Sequence, residues 1–310
     1  YEAFQQIHNQ MEADTDANQE LSDVWIDAMG PYCPELVAYV DKHQDEYDVV
    51  IVVTYLYYPA VRCMQRLKGR VLFIPTAHQE PMIHFKMYDE IFHRANAFVY
   101  LTEEEKELVQ QQFHTEDIPY EVMGAGVDVP ESVNDWRFKV KHHLEEYFIY
   151  VGRIDVGKNC PALFQDFMEY KRRTHNQVKL VLLGKQNCEI PEHEDIISMG
   201  FVSERDKFDG IKGAKALILP SRYESLSISV LEAMALGKPV IVNGDCDVLK
   251  GHCRKSDGGL YYHNSDEFMG CLNYIVNHPV ESFVMGKNAK KYVDTYYRWN
   301  DIMRRFDRII

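Results

Sequence analysis

The sequence predicts an α/β protein made of two doubly wound, parallel-sheet domains. Three observations carry that expectation. Apolar runs of strand length alternate with helix-length stretches from Tyr47 to Val242, as they do where helices pack on a parallel sheet. One stretch holds a complete strand–helix–strand unit: Ala216 to Pro220 and Pro239 to Val242 are the strands, and Ser227 to Leu236 is the helix, stopped by Gly237. The third is size, since 310 residues with 46% hydrophobic content suffice for two cores and argue against disorder.

The chain opens on a polar helical stretch, Tyr1 to Asp27, where a first strand would be expected. The first strong strand is Tyr47 to Thr54, followed by a helical stretch around Val61 to Leu67 and a second strand at Arg70 to Pro75. Ala95 to Leu101 is the third strand. Thr102 then caps a helix over Glu103 to Phe113, with Glu105 at the reciprocal position of a capping box, and Tyr120 to Met123 closes the series. Past Gly124 the pattern loosens, which places an interdomain linker at roughly 125–140.

The second domain repeats the alternation. Tyr147 to Val151 is a strand, Pro161 to Lys171 a helix, Val178 to Leu183 a strand, Ile196 to Val202 a short strand-like segment, and Glu204 to Gly210 a helix before the unit described above. Gly152, Gly184 and Glu224 each follow a strand end, so they line one edge, and ligands of such sheets bind at the carboxyl ends of the strands. From Pro279 onward come helical residues rich in aromatics and arginine. The domain boundaries expected are 1–130, 131–290 and a tail at 291–310.

Composition removes several function classes. A formal charge of −14 argues against general nucleic-acid binding and against anionic lipid, except through a local basic patch. Seven dispersed cysteines without a Cys-x₂-Cys pair fit a reducing cytoplasm. Cys246 and Cys253 flank Asp247 and His252, but their spacing is wider than zinc sites use, so no metal site is expected. No segment approaches the length of a membrane span, and no signal sequence opens the chain.

The most informative stretch runs from Leu219 to Val242, where Glu224 and Glu232 stand eight residues apart. Glu232 lies inside the helix. Glu224 lies in the turn before it, where the N–H groups of Ser225, Leu226 and Ser227 face outward at the positive end of the helix dipole, a place suited to an anion. The plain alternative is that Ser225 and Ser227 cap the helix and Glu232 is solvated.

Glu-x₇-Glu followed by Ala-Met-Ala-x-Gly-x-Pro-Val resembles the donor-site signature of the retaining glycosyltransferases of family four, which have the GT-B fold of two Rossmann-like domains facing a cleft. Tyr150 to Asn159 is similar to that family's strand-to-loop segment. The resemblance implies that Arg153 and Lys158 hold the diphosphate of a nucleotide sugar beside Gly152 and Gly184. It implies that Glu232 accepts the ribose hydroxyls, that Glu224 with Ser225, Leu226 and Ser227 orients the sugar, and that the segment containing Val202 borders the base. It further implies that the tail crosses back onto the first domain. The chemistry asks for these residue types independently, because a departing nucleoside diphosphate gains negative charge that fixed cations and N–H dipoles stabilise. Arg offers a planar fork and Lys a point charge.

In the first domain, Pro75 to Pro81 resembles the family segment whose histidine reaches toward the donor sugar, which implies that role for His78. Gln79 stands where the resembling subgroup has Asp, and Ser225 where many members have Gly. The expected function is transfer of a sugar from a UDP- or GDP-linked donor, with retention, to a saccharide or lipid-linked acceptor in cell-surface polysaccharide synthesis, with no separate cofactor or metal. A lipid-linked acceptor would bring the protein to the inner membrane surface. The alternatives are a nucleotide-sugar 2-epimerase of the same fold and a non-catalytic nucleotide-sugar-binding module. Family members open with a strand and a glycine-rich loop that nothing before Tyr47 supplies. With a strand–helix–strand unit taking about 30 residues, the expectation is that roughly 60 to 100 residues of the first domain lie outside this sequence.

Overall fold

The computed structural model describes residues 2–310. Its contacts divide the chain into two units, one formed by residues 2–124 with Ile302–Ile310, the other by Ala125–Asp301.

The first unit begins with three helices, α1 (Glu2–Ala13), α2 (Gln19–Met29) and α3 (Pro34–His43). The opening stretch is therefore two helices, broken where the Asn18 side chain accepts from the Leu21 N–H at 2.9 Å and starts α2. Its polarity is confined to one side. Met11, Trp25 and Ile26 are fully buried, and the Trp25 indole donates to His8 Nδ1 at 3.2 Å. There follow β1 (Val50–Val53), α4 (Tyr58–Arg66), β2 (Val71–Ile74), α5 (Met87–His93), β3 (Ala97–Tyr100), α6 (Glu103–Phe113) and β4 (Tyr120–Val122). The four strands are parallel and lie in chain order, β1-β2-β3-β4. Trp25, Val61, Phe73, Phe92 and Phe98 belong to the larger core, and a smaller cluster joins Leu72, Val99 and Met123 to Ile302 of the tail. Arg305 completes that docking by donating to the carbonyls of Val122 at 3.0 Å and Met123 at 3.4 Å.

In the second unit come α7 (Asp135–His142), β5 (Tyr147–Val151), α8 (Cys160–Thr174), β6 (Lys179–Leu183), β7 (Ile196–Ser198), α9 (Glu204–Gly213), β8 (Leu217–Leu219), α10 (Ile228–Ala235), β9 (Val240–Asn243), α11 (Asp247–Ser256), β10 (Gly259–Tyr262), α12 (Ser265–Asn277) and α13 (Pro279–Tyr296). The six strands are parallel in the order β10-β9-β8-β5-β6-β7. Chain order reverses between β5 and β8, so the sheet is doubly wound with its switch point there.

The boundaries differ from the expected ones. The first division falls after Gly124, because the Val127 N–H donates to the Tyr297 carbonyl at 3.0 Å and Gly126 lies against the Trp299 indole, tying 125–130 into the second unit. The expected linker contains α7, capped by the Asn134 side chain on the N–H groups of Trp136 and Arg137 and held by Arg137 against Asp209 at 2.7 Å. Nor does a new element start at 291, since α13 runs unbroken to Tyr296, burying Ala289, Tyr292 and Val293. The last helix, α14 (Trp299–Phe306), carries the change of unit at Ile302.

Candidate donor site

The switch point brings together the loops that follow β5 and β8. After β5 the chain passes through Gly152 and Arg153 to Asp155, whose carboxylate accepts the Lys158 N–H at 2.7 Å, and to Asn159 in the left-handed region at φ +59°. After β8 it passes through Pro220 to Glu224. The Lys158 ammonium and the Glu224 carboxylate meet at 2.5 Å, with side chains 26% and 13% exposed. Two residues 66 positions apart thus form a partly buried pair across the strand reversal. Below it, the Pro220 carbonyl accepts from the side-chain amides of both Asn159 at 3.2 Å and Asn243 at 3.1 Å.

Arg153 stands apart from that pair, 68% exposed and 3.6 Å from Asp155. Glu232 lies on α10 with its carboxylate 2.6 Å from the Lys207 ammonium of α9. Burial pushes the Glu232 carboxyl above the ordinary glutamate range, and the hydrogen bond and charge of Lys207 oppose that shift without cancelling it. Lys207 was not anticipated from sequence. It lies four residues past Ser203, the α9 cap, where any polar residue would have suited an amphipathic helix.

The turn ahead of α10 contains Ser225, Leu226 and Ser227. Ser227 occupies the cap position at φ +67°, yet its side chain makes no capping bond, so the plain capping reading does not describe it. Val202 lies in the segment between β7 and α9, outside any strand, because β7 ends at Ser198. Gly152 and Gly184 directly follow β5 and β6, side by side. A Cβ built on Gly184, at φ +144°, would overlap the Gly152 carbonyl. Gly184→Ala is therefore expected to displace the loop after β5 and lower stability by about 2 kcal/mol or more, measurable by urea titration. A variant as stable as the parent would refute the close approach.

His78 belongs to the first unit, in the loop after β2. Its neighbour is Glu80, whose carboxylate lies 3.6 Å from Nδ1 and accepts the Tyr55 hydroxyl at 2.6 Å. Position 79 is the neutral Gln79, and the carboxylate beside His78 is that of Glu80. The loop is anchored by Glu105, which accepts from the Ala77 and Leu101 N–H groups at 2.6 Å each. The capping geometry of Thr102 is present, with its hydroxyl accepting the Glu105 N–H at 3.1 Å, but the Glu105 carboxylate reaches a second loop as well.

No group of three or more metal-ligating side chains converges among the described residues, and no helix among them is long and apolar enough to cross a membrane. All seven cysteines are free thiols.

Two parallel-sheet α/β units, the second doubly wound, make this a GT-B protein, the fold of the solved structures similar to it. Sucrose-phosphate synthase from Thermosynechococcus elongatus matches with a TM-score of 0.73 and 16% identity, over 91% of this chain and 80% of that one. The chain belongs to the family described as glycosyl transferases group 1, which matches residues 132–292, just over half of its length. An uncharacterised glycosyltransferase of Methanocaldococcus jannaschii is 25% identical over 218 residues, 64% of this chain and 55% of the relative. The O-antigen chain mannosyltransferase B of Escherichia coli is 26% identical over 105 residues, 31% of this chain and 28% of the relative. The chain thus spans about half, or less, of the length of these curated relatives.

Proposed function

We propose that the second unit holds the donor of a retaining glycosyltransferase, which moves a sugar from a UDP- or GDP-linked donor to a saccharide or lipid-linked acceptor in cell-surface polysaccharide synthesis. The observation that carries this reading is the Lys158–Glu224 pair at the switch point between β5 and β8. An ammonium held there by a carboxylate can exchange that partner for phosphate oxygens, and the exposed Arg153 can add its fork. Their charge stabilises the departing diphosphate, which takes up the acceptor proton itself, so no protein base is required. Glu232 accepts the ribose hydroxyls, since a carboxylate can receive two vicinal donors. Glu224, released from Lys158, orients the sugar with the turn at Ser225 to Ser227; Val202 borders the base. His78 serves the sugar in this reading. A relative named for O-antigen mannosyl transfer supports the polysaccharide assignment.

Calorimetric titration of this chain with UDP, GDP and ADP, without added metal, tests the proposal. One nucleotide is expected to bind, and Glu232→Ala to weaken it about tenfold, the loss of a charge-assisted hydrogen bond. Binding of none, or equal binding by the variant, would sink the donor assignment.

A further inference from the structure

Behind the donor turn lies a buried polar chain that the transfer reaction does not use. His252, on α11, is 2% exposed. Its Nε2 is 2.8 Å from the Leu226 carbonyl and its Nδ1 is 3.1 Å from the Tyr292 hydroxyl, which is in turn 3.1 Å from the Tyr297 hydroxyl. Both tyrosine rings meet the imidazole edge-on, with centroids 5.9 Å away. The tautomer follows from these partners. A carbonyl oxygen only accepts, so Nε2 carries the proton; in the neutral ring Nδ1 then accepts from Tyr292, whose oxygen is left to accept from Tyr297.

The held carbonyl has a consequence one residue on. The peptide joining Leu226 to Ser227 is planar and trans, so its C=O and N–H point in opposite directions. Fixing the oxygen on His252 fixes the Ser227 N–H pointing away from α11. Ser227 also adopts φ +67°, a left-handed conformation that a serine keeps only where its surroundings hold it. The bond from His252 is one such restraint.

We propose that His252 is a positioning residue for the donor turn: by holding the Leu226 carbonyl it aims the Ser227 N–H at the anionic group of the nucleotide sugar. The Leu226 carbonyl requires the tautomer with the proton on Nε2, and the Tyr292 hydroxyl, donating to Nδ1, holds the ring in place for it. The inference rests on the donor-site reading above.

The test is nucleoside diphosphate affinity, measured by calorimetry alongside a thermal melt, for the parent chain, His252→Leu, His252→Gln and Tyr292→Phe. A glutamine amide can stand in for the Nε2 N–H, so His252→Gln is expected to bind within about threefold of the parent, and His252→Leu about tenfold more weakly. A role confined to packing would lower the melting temperature of both variants and leave the affinity of the folded protein unchanged; equal affinities for His252→Leu and the parent would overturn the proposal. Should His252→Leu fail to fold, Tyr292→Phe decides, because it keeps the ring and removes the hydroxyl that holds the imidazole through Nδ1: about threefold weaker binding supports the proposal, and unchanged binding overturns it. If the parent binds no nucleotide, the donor-site reading itself fails and this inference falls with it. If the parent binds and the variants match it, only the role of His252 is lost.

Discussion

Replacing Lys158 by alanine is expected to weaken nucleoside diphosphate binding by about a hundredfold, near 2.7 kcal/mol. Two effects combine. The ammonium contact to phosphate disappears, and hydrogen bonds to charged groups contribute about 1.5–3 kcal/mol. Glu224, 13% exposed, is also left without the cation that it meets at 2.5 Å, so an unbalanced carboxylate faces the incoming anion. Arg153→Ala should have the smaller effect, about tenfold, because a guanidinium 68% exposed acts through solvent. His78→Ala should leave nucleotide affinity nearly unchanged, since its proposed place is at the sugar. Titration of the three variants gives the ranking, and the double variant with Glu224→Ala separates the two effects by recovering affinity lost to the stranded carboxylate. A reversed ranking, with His78 the most damaging, would discard the site assignment.

Glu105→Ala should cost about 3–5 kcal/mol of folding stability, read by urea titration. The side chain is fully enclosed and satisfies the N–H groups of Ala77 and Leu101. Alanine leaves both without their acceptor, at about 1–3 kcal/mol each, and adds a void. A loss below about 1 kcal/mol would mean that the loop finds other partners. Burial pushes this carboxyl up to about 8, against the pull of the N–H groups of Leu101, Ala77 and Thr102. In the unfolded chain a glutamate titrates near ~4.3. The folded form therefore keeps a proton that the unfolded form has released, so this contribution is complete below about 4.3 and is lost as pH rises through about 8. The stability of the parent relative to Glu105→Gln should accordingly fall between about pH 5 and 9.

Much of the fold was legible in the sequence because buried parallel strands are locally apolar. β5, β6, β8 and β9 declare themselves as runs such as Tyr-Phe-Ile-Tyr-Val, and the helices between them by their period. Less legible was β10, a Gly-Leu-Tyr-Tyr edge strand whose short run has an exposed Tyr261. α7 was hidden for another reason: only Phe138 of its eight residues is buried, so its period is too weak to separate it from a linker. In the site, Glu224 stood out through its place in the turn after a strand and Lys158 through the resemblance of its loop segment, and the sheet order explains why those places converge. Lys207 and His252 did not, because their partners lie 25 and 26 residues away at points that only packing determines. Local pattern identifies which residues end a strand; it does not say which helix side chain reaches back to them.

The Pro220 carbonyl, receiving one amide hydrogen from Asn159 and another from Asn243, links the loops after β5 and β8 to the end of β9. Three separate pieces of chain are thereby immobilised as one floor. A molecule settling on that floor has little backbone left to order, so the entropy that association usually surrenders there was largely spent during folding. Affinity at such a place is governed by the few long side chains that must still choose a rotamer, Arg153 foremost among them, and discrimination between ligands by how well each matches a surface that does not adapt to it.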